Sequence, residues 1–190
     1  MTPQTLSFSL QPGVQDNDLF VIVGGILTTV GPFDYEAKST YTVQVTVTDQ
    51  GGLSFNQQLT VNVTNVNETP TDVKIDGAYT ATISENQSAG TVVGTTGLLT
   101  AVDPDDPKTP QTFSYALKGG VPDNASFQIA GSVLKSAVSF DYETQSVYNI
   151  VVTVTDQGGL SYDKSLTVNI RDFFNAPTDI SLSNSSIPEN

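Results

Sequence analysis

Cysteine, histidine and tryptophan are all absent from this chain of 190 residues, and cations are scarce. Without cysteine there can be no disulfide and no thiolate metal site, although that absence alone does not fix a compartment. Twenty acidic residues face only seven basic ones, for a net charge of −13. The seven cations are scattered singly. A nucleic-acid surface needs clustered Lys and Arg, so nucleic acid is excluded as a partner class, and an anionic membrane surface with it. No apolar run approaches the length of a membrane span, so no direct membrane insertion is expected in this segment, and no secretory leader is visible. Acidity that is both excessive and locally clustered points to a cation.

What the chain does have is a copy of itself. Residues 33–54 read FDYEAKSTYTVQVTVTDQGGLS and residues 140–161 read FDYETQSVYNIVVTVTDQGGLS, identical at 16 of 22 positions. The offset from Phe33 to Phe140, 107 residues, also pairs Gln4-Thr5 with Gln111-Thr112, Phe20 with Phe127, and Pro70-Thr71-Asp72 with Pro177-Thr178-Asp179. That period is too long for a solenoid unit and suits one small globular domain. Glu85-Asn86 recurs as Glu189-Asn190, while residues 73–110 have no counterpart before Gln4. The expected organisation is the C-terminal part of one repeat (1–66), a linker (67–72), a complete repeat (73–171), and a second linker with the start of a third repeat (172–190). Such a chain is expected to be a piece of a longer array.

Tyr41–Thr48 alternates apolar and polar residues without a break, the pattern of a strand with one buried face. Its copy, Tyr148–Thr155, keeps the inward parity with Tyr148, Ile150, Val152 and Val154. An Asp-Gln-Gly-Gly turn follows each, then a partner strand at Leu53–Val63 and Leu160–Ile170, which together predict two long β-hairpins. Further strands are expected at Leu6–Leu10, Phe20–Val23, Ile26–Val30, Val73–Asp76, Thr80–Ile83, Thr91–Val102, Thr112–Leu117, Ser126–Ile129 and Ser132–Ser136. No segment carries a helical period. About seven short strands per hundred residues predict an all-β chain of tandem β-sandwiches. The first repeat lacks a counterpart of Thr91–Val102 and is expected to expose part of its core or borrow a strand.

Strand parity puts Asp49 on the side of Val43, Val45 and Val47, where a carboxylate is costly unless the strand has already left the core. Asp49 is therefore expected at one pole, with Asp34 and Glu36 near the other. Eight residues at about 3.3 Å each separate the two groups by roughly 26 Å, too far to share one ion within a repeat. End-to-end stacking of repeats brings them together. The linker Asn65-Val66-Asn67-Glu68-Thr69-Pro70 is short, lacks glycine and carries oxygen-bearing side chains. Asp103 and Asp105 then point the same way in an extended segment, with Pro104 discouraging a regular ladder. The junction so formed would gather Asp34, Glu36, Asn67, Glu68, Asp103, Asp105 and Asp156, all oxygen donors. Ca²⁺ accepts six to eight such ligands in irregular geometry, whereas Mg²⁺ demands a tight octahedron.

In order along the chain, Glu-Asn near the repeat start, Asp-x-Asp, Asp-x-Glu before the long hairpin, Asp after it, and a linker ending in proline resemble cadherin repeats. The wording FDYE, VTVTDQGG, NVNETPTD and SENQSAGTVVG is most similar to the cadherin-like tandem repeats of large bacterial surface proteins. The resemblance implies a Greek-key sandwich, immunoglobulin-like in architecture, with calcium between successive domains, a rigid array and a role in cell adhesion. It implies a first ligand set of Asp34, Glu36, Asn65, Asn67, Glu68, Asp103, Asp105 and Asp156. A second would start from Glu85, Asp141, Glu143 and Asp172. Asn65 stands where the family usually has Asp, which lowers the charge of the first site. Phe174 and Asn175 replace the counterparts of Asn67 and Glu68, and the lower half of the second site is missing, so weaker binding is expected at the second junction.

Each motif also has an ordinary reading. Asp-Gln-Gly-Gly is a common turn, Asp-x-Asp beside proline is commonly a solvated loop, and Phe-Asp-Tyr-Glu reads equally as packed aromatics flanked by surface acids. Paired carboxylates such as Asp34 and Glu36 would suit glycoside hydrolysis, yet nothing else suggests a substrate cleft, and no enzyme activity is expected. Asn62-Val63-Thr64, Asn67-Glu68-Thr69 and Asn124-Ala125-Ser126 match the glycosylation sequon but read as chance in so Asn- and Thr-rich a chain. The function expected is a calcium-binding adhesive repeat, extracellular and at a cell surface, partnered by other surface proteins or like repeats. Two alternatives stay open: a passive stalk or spacer, and a carbohydrate-binding sandwich. A sugar platform usually displays aromatics, which the missing tryptophan disfavours.

Overall fold

The computed structural model describes residues 5–105 and 111–174, and the chain divides into two compact units. The first comprises residues up to Glu68 together with 104–105, and the second residues 69–103 with those from 111 onward. The expected start of a third repeat falls within 175–190, outside the described residues.

In the first unit, β1 (Leu6–Leu10), β4 (Thr40–Asp49) and β5 (Ser54–Asn62) form an antiparallel sheet in the order β1-β4-β5, and β2 (Phe20–Val23) pairs with β3 (Ile26–Thr29). The β4–β5 register sets Tyr41 opposite Val61, Val43 opposite Leu59 and Val47 opposite Phe55. The period-2 alternation of β4 therefore puts its valines on one face, shared with the apolar residues of β5. Among the described residues, its buried hydrophobics are Phe20, Tyr41 and Val43.

The second unit contains β6 (Asp72–Ile75), β7 (Thr80–Ser84), β8 (Leu99–Val102), β9 (Ser114–Leu117), β10 (Phe127–Ala130), β11 (Val133–Ser136), β12 (Val147–Thr155) and β13 (Ser161–Arg171). One sheet runs β7-β13-β12-β9, with β7 parallel to β13. The pairs β6-β8 and β10-β11 form the facing layer, drawn together by the bridge Leu98–Val133 and by Leu134 N–H donating to the Gly97 carbonyl at 2.8 Å. Between the layers lies one core, with sixteen buried hydrophobic residues among those described, from Val73 and Ile75 through Ile150, Val152 and Val154 to Leu166, Val168 and Ile170. This is the all-β sandwich that the strand pattern predicted.

Two departures from that pattern are local. Short 3₁₀ turns at Asn17–Leu19 and Pro122–Ser126 precede β2 and β10. The long strand expected over Thr91–Val102 is regular only from Leu99. Gly94 and Gly97 break it, at φ +82° and +68°, in the region closed to most L-residues. A Cβ at Gly94 would sit 2.5 Å from Asp76 Oδ2, and one at Gly97 2.6 Å from the Leu134 carbonyl. The bulge wraps the Asp76 carboxylate, which accepts backbone N–H bonds from Thr95 (2.7 Å), Thr96 (3.1 Å), Gly97 (3.3 Å) and Leu98 (3.1 Å), and the Thr96 hydroxyl. Partial desolvation opposes ionisation of Asp76. The hydroxyl and N–H donors outweigh it and lower its pKa to about 2.

Candidate metal centres

In each unit the Phe-Asp-Tyr-Glu motif ends as a tight turn before the long central strand, and the first acid of the motif holds that turn. Asp34 Oδ1 accepts the Ala37 N–H at 2.9 Å. Asp141 accepts from Glu143 N–H at 3.1 Å and from the Thr144 hydroxyl at 2.7 Å. The hydroxyl bond from Thr144 is the main reason its carboxyl lies below the usual range. With the first acid so engaged, the second is left to reach outward.

In the first unit Glu36 meets Glu68 and Asp105, with one oxygen of each lying within 4.8 Å of the others. Asp105 is only 1% exposed. Its Oδ1 accepts from Asn65 Nδ2 at 2.8 Å, and its Oδ2 accepts from Glu68 N–H at 2.9 Å. Glu36 Oε1 is buried with no hydrogen-bond partner. A small cavity of about 70 Å³ is lined in part by Glu36, Asn65 and Glu68. Three converging carboxylates repel one another, and a buried carboxylate oxygen without a donor adds to that cost. An oxygen-only set of this kind fits a hard divalent ion such as Ca²⁺.

In the second unit the equivalent cluster is Glu85, Glu143 and Asp172, again with one oxygen of each within 4.8 Å of the others. Glu85 is 2% exposed, and both its oxygens are in use: Oε2 accepts from Tyr142 N–H at 2.9 Å and Oε1 from Phe173 N–H at 2.8 Å. The Tyr142 and Phe173 N–H groups hold its carboxyl below the usual range against burial and the charge of Asp141. Glu143 goes the other way. Its own backbone N–H favours the charged form, but desolvation and the negative charges of Glu85 and Asp172, with the Asp141 contact, leave its carboxyl above the usual range. Phe174 is 92% exposed beside this cluster's chain segment.

Asp103 and Asp156 belong to the second unit, and both are buried. Asp156 caps the hairpin turn by accepting from Leu160 N–H at 2.9 Å. In the first unit Asp49 does the same with Leu53 (2.9 Å) and Gly51 (2.8 Å), at the end of β4 where parity places it. The Asp-Gln-Gly-Gly acids are thus turn caps in both copies. Asp34, Asp103, Asp141 and Asp156 fall in neither carboxylate cluster among the described residues.

Sequence reasoning missed one repeated polar device. Asn17 Nδ2 donates to the Gln11 and Gln44 carbonyls, both at 3.0 Å, while its Oδ1 accepts from Gln44 N–H at 2.8 Å. Asn124 repeats the pattern with Lys118, Val151 and Val151 N–H at 2.8, 2.9 and 3.0 Å. Each buried amide ties a 3₁₀ turn to the central strand, and Asp-Asn at both 16–17 and 123–124 was the available signal.

Residues 79–171 match the family model described as the cadherin domain. Mouse Protocadherin Fat 4 is 30% identical over 172 residues, covering 87% of this chain and 3% of that protein. Human Protocadherin gamma-A9 is 30% identical over 175 residues, covering 87% of this chain and 18% of that protein. Among solved structures, the chicken VE-cadherin EC1-2 pair aligns with TM-score 0.53 and 24% identity, over 90% of this chain and 86% of that one. Protocadherin Gamma B7 extracellular domains 1–4 align with TM-score 0.59 and 25% identity, over 86% and 40%. The chain thus spans only a small part of the full-length relatives. These relatives are animal proteins, and the bacterial origin expected from the motif wording gains no support from them.

Residues 79–171 accordingly match the cadherin domain, an adhesion-type and not an enzyme family, whose ectodomain homologues are extracellular and at the cell surface.

Proposed function

We propose that this cadherin segment is a calcium-stiffened part of an adhesive surface array. The first ligand set comprises Glu36, Asn65, Glu68 and Asp105, with Asp34, Asn67, Asp103 and Asp156 as the remaining oxygen donors. The second is built on Glu85, Glu143 and Asp172 with Asp141. The repeat organisation we propose keeps linkers at 67–72 and from 172. The single observation that carries the reading is Glu36 Oε1, a buried oxygen without a hydrogen-bond partner on a half-buried side chain beside Glu68 and Asp105.

Each residue's part follows from electrostatics. Asp34 and Asp141 fix the turns that aim Glu36 and Glu143. Asn65 and the Glu68 N–H orient the Asp105 carboxylate. Bound calcium supplies the positive charge that cancels the repulsion among these acids. Without it the acids drive the linker segments apart, and with it they hold those segments in one arrangement. Extracellular modules of this kind bind calcium at about 10⁻⁴–10⁻³ M, so export itself would switch the array from pliable to stiff. The partner proposed is a like repeat on another surface protein. The aromatic trios offer nothing to a sugar platform, since Phe20, Tyr41, Phe127, Phe140 and Tyr148 are all buried.

Thermal unfolding in millimolar Ca²⁺, in Mg²⁺ and in EGTA tests this. A calcium-specific rise in Tm, lost in Glu36→Ala and Asp103→Ala, is the expected result. Identical melting in all three buffers would remove the calcium role and leave a passive spacer.

A further inference from the structure

We propose that Asn86 is an N-linked glycosylation site, modified as the chain passes through a eukaryotic secretory pathway. Besides the sequons at Asn62, Asn67 and Asn124, the chain carries Asn86-Gln87-Ser88, which has the same Asn-x-Ser form with no proline in the middle. Asn62 and Asn67 belong to the first unit, and Asn86 and Asn124 to the second. There the fold treats the two asparagines in opposite ways.

Asn124 is excluded by its own Nδ2, the atom to which a sugar would be joined. The residue is 6% exposed, and that nitrogen donates to the Lys118 and Val151 carbonyls at 2.8 and 2.9 Å. A glycan there would break both bonds and force bulk into a packed turn.

Asn86 is the reverse. Residues 86–90 are five consecutive exposed positions that follow soon after β7 ends at Ser84. The loop is pinned through its main chain at both ends, with Asn86 N–H donating to the Phe140 carbonyl at 3.0 Å and Gly90 N–H to the Ser136 carbonyl at 2.8 Å. Between them the Ser88 carbonyl accepts the Thr91 N–H at 3.3 Å and the Thr91 hydroxyl at 2.7 Å. Asn86 has φ +58°, in the left-handed region that asparagine tolerates better than most residues. The hydrogen bonds that order this loop therefore use its backbone and leave the sequon side chains to solvent. The preceding residue points the other way: Glu85 is 2% exposed, its carboxylate held by the Tyr142 and Phe173 N–H groups. Room for the first sugars lies alongside, in an open cavity of about 620 Å³ lined in part by Thr80, Thr82, Ser84, Gln87 and Arg171.

The covalent step is a substitution without redox change. Asn86 Nδ2 attacks the anomeric carbon of an oligosaccharide carried on a lipid diphosphate. A C–N bond forms, the C–O bond to the diphosphate breaks, the lipid diphosphate leaves, and one Nδ2 proton passes to base.

Peptide mass mapping of the 190-residue chain, expressed behind a secretory leader in animal cells and compared before and after PNGase F, tests this. The expected result is a glycan on the peptide that carries Asn86, its enzymatic release converting that asparagine to aspartate, and an unmodified Asn124. Ser88→Ala should abolish the Asn86 glycan while leaving the acceptor and its turn in place, and Ser88→Thr should keep it. An unmodified Asn86 in the wild-type chain would overturn the proposal. So would a modification of Asn86 that survives Ser88→Ala, or a glycan carried by Asn124 in the folded chain.

Discussion

The same stretch of sequence occurs twice in this molecule, with matching local structure and very different burial. The aromatic trio Phe20, Phe33 and Tyr41 packs with ring centroids 5.4, 6.1 and 4.4 Å apart, and its copy Phe127, Phe140 and Tyr148 at 5.3, 5.6 and 4.9 Å. Thr48 and Ser54 share a 2.8 Å hydroxyl contact across the hairpin, as do Thr155 and Ser161. Yet among the described residues three hydrophobic residues are buried in the first core and sixteen in the second. Hairpin register, turn caps and trio geometry are therefore properties of the segment. Burial belongs to whatever covers it, which in the second unit is β6, β7, β8 and Val93.

The strongest way to break this comparison is truncation at matched positions. Leu166→Ala should cost about 3 kcal/mol, as for a fully buried leucine, and Leu59→Ala well under about 1 kcal/mol. Denaturant unfolding with hydrogen exchange resolved by unit would check both, and equal losses would mean that the first face is covered in solution. Next in size is the covering layer itself. Asp76→Asn removes the charged acceptor of the bulge and should cost on the order of 1–2 kcal/mol, discounted because the group is partly solvated, in the second unit alone. Because Asp76 ionises at about 2 when folded, against an ordinary value of 3.8, its contribution is present above about pH 4 and lost as pH falls towards 2. The variant should flatten that acid limb.

Calcium tests whether the two acidic clusters differ as the two cores do. At ten times its dissociation constant, calcium should raise stability by about 1.4 kcal/mol, and Glu36→Ala should abolish more of that than Glu143→Ala does. Isothermal titration of the two variants would read it directly, and equal losses would make the clusters equivalent. The smallest effect is expected from Glu143 without calcium. Its carboxyl is held above the usual range, so its favourable share of stability is full at pH below the unfolded value of 4.5 and fades as pH rises through the folded one. Glu143→Gln in EGTA should therefore remove part of any stability lost between mildly acidic and neutral pH, as followed by Tm.

Much of this was legible because it is local. Period-2 alternation located β4 and β12 to within a residue at either end, and parity predicted that Asp49 would leave the packed face. Asp-x-Glu and the linker acids pointed to the carboxylates that do cluster. The bulge over residues 91–98 was not legible, since Thr91–Val102 is rich in strand formers. What breaks it is an Asp76 carboxylate fifteen or more residues upstream, together with two glycines whose backbones approach Asp76 and the Leu134 carbonyl. The turn-capping role of Asp34 and Asp141 was hidden for a related reason, because side-chain acceptors for nearby N–H groups and metal ligands are the same residue types.

By itself the sequence determined the repeats, the hairpins, the inward parity of β4 and β12 and the acidic segments, because each depends on neighbours a few residues away or on alternation along one strand. Only the tertiary structure decided which identical positions are buried and which carboxylates converge. Those outcomes depend on distant strands: β6, β7 and β8 close the second core, and Asp105 reaches Glu36 and Glu68 across long stretches of chain. Burial and charge repulsion are fixed by what lies opposite in space, and no window of the sequence contains both sides.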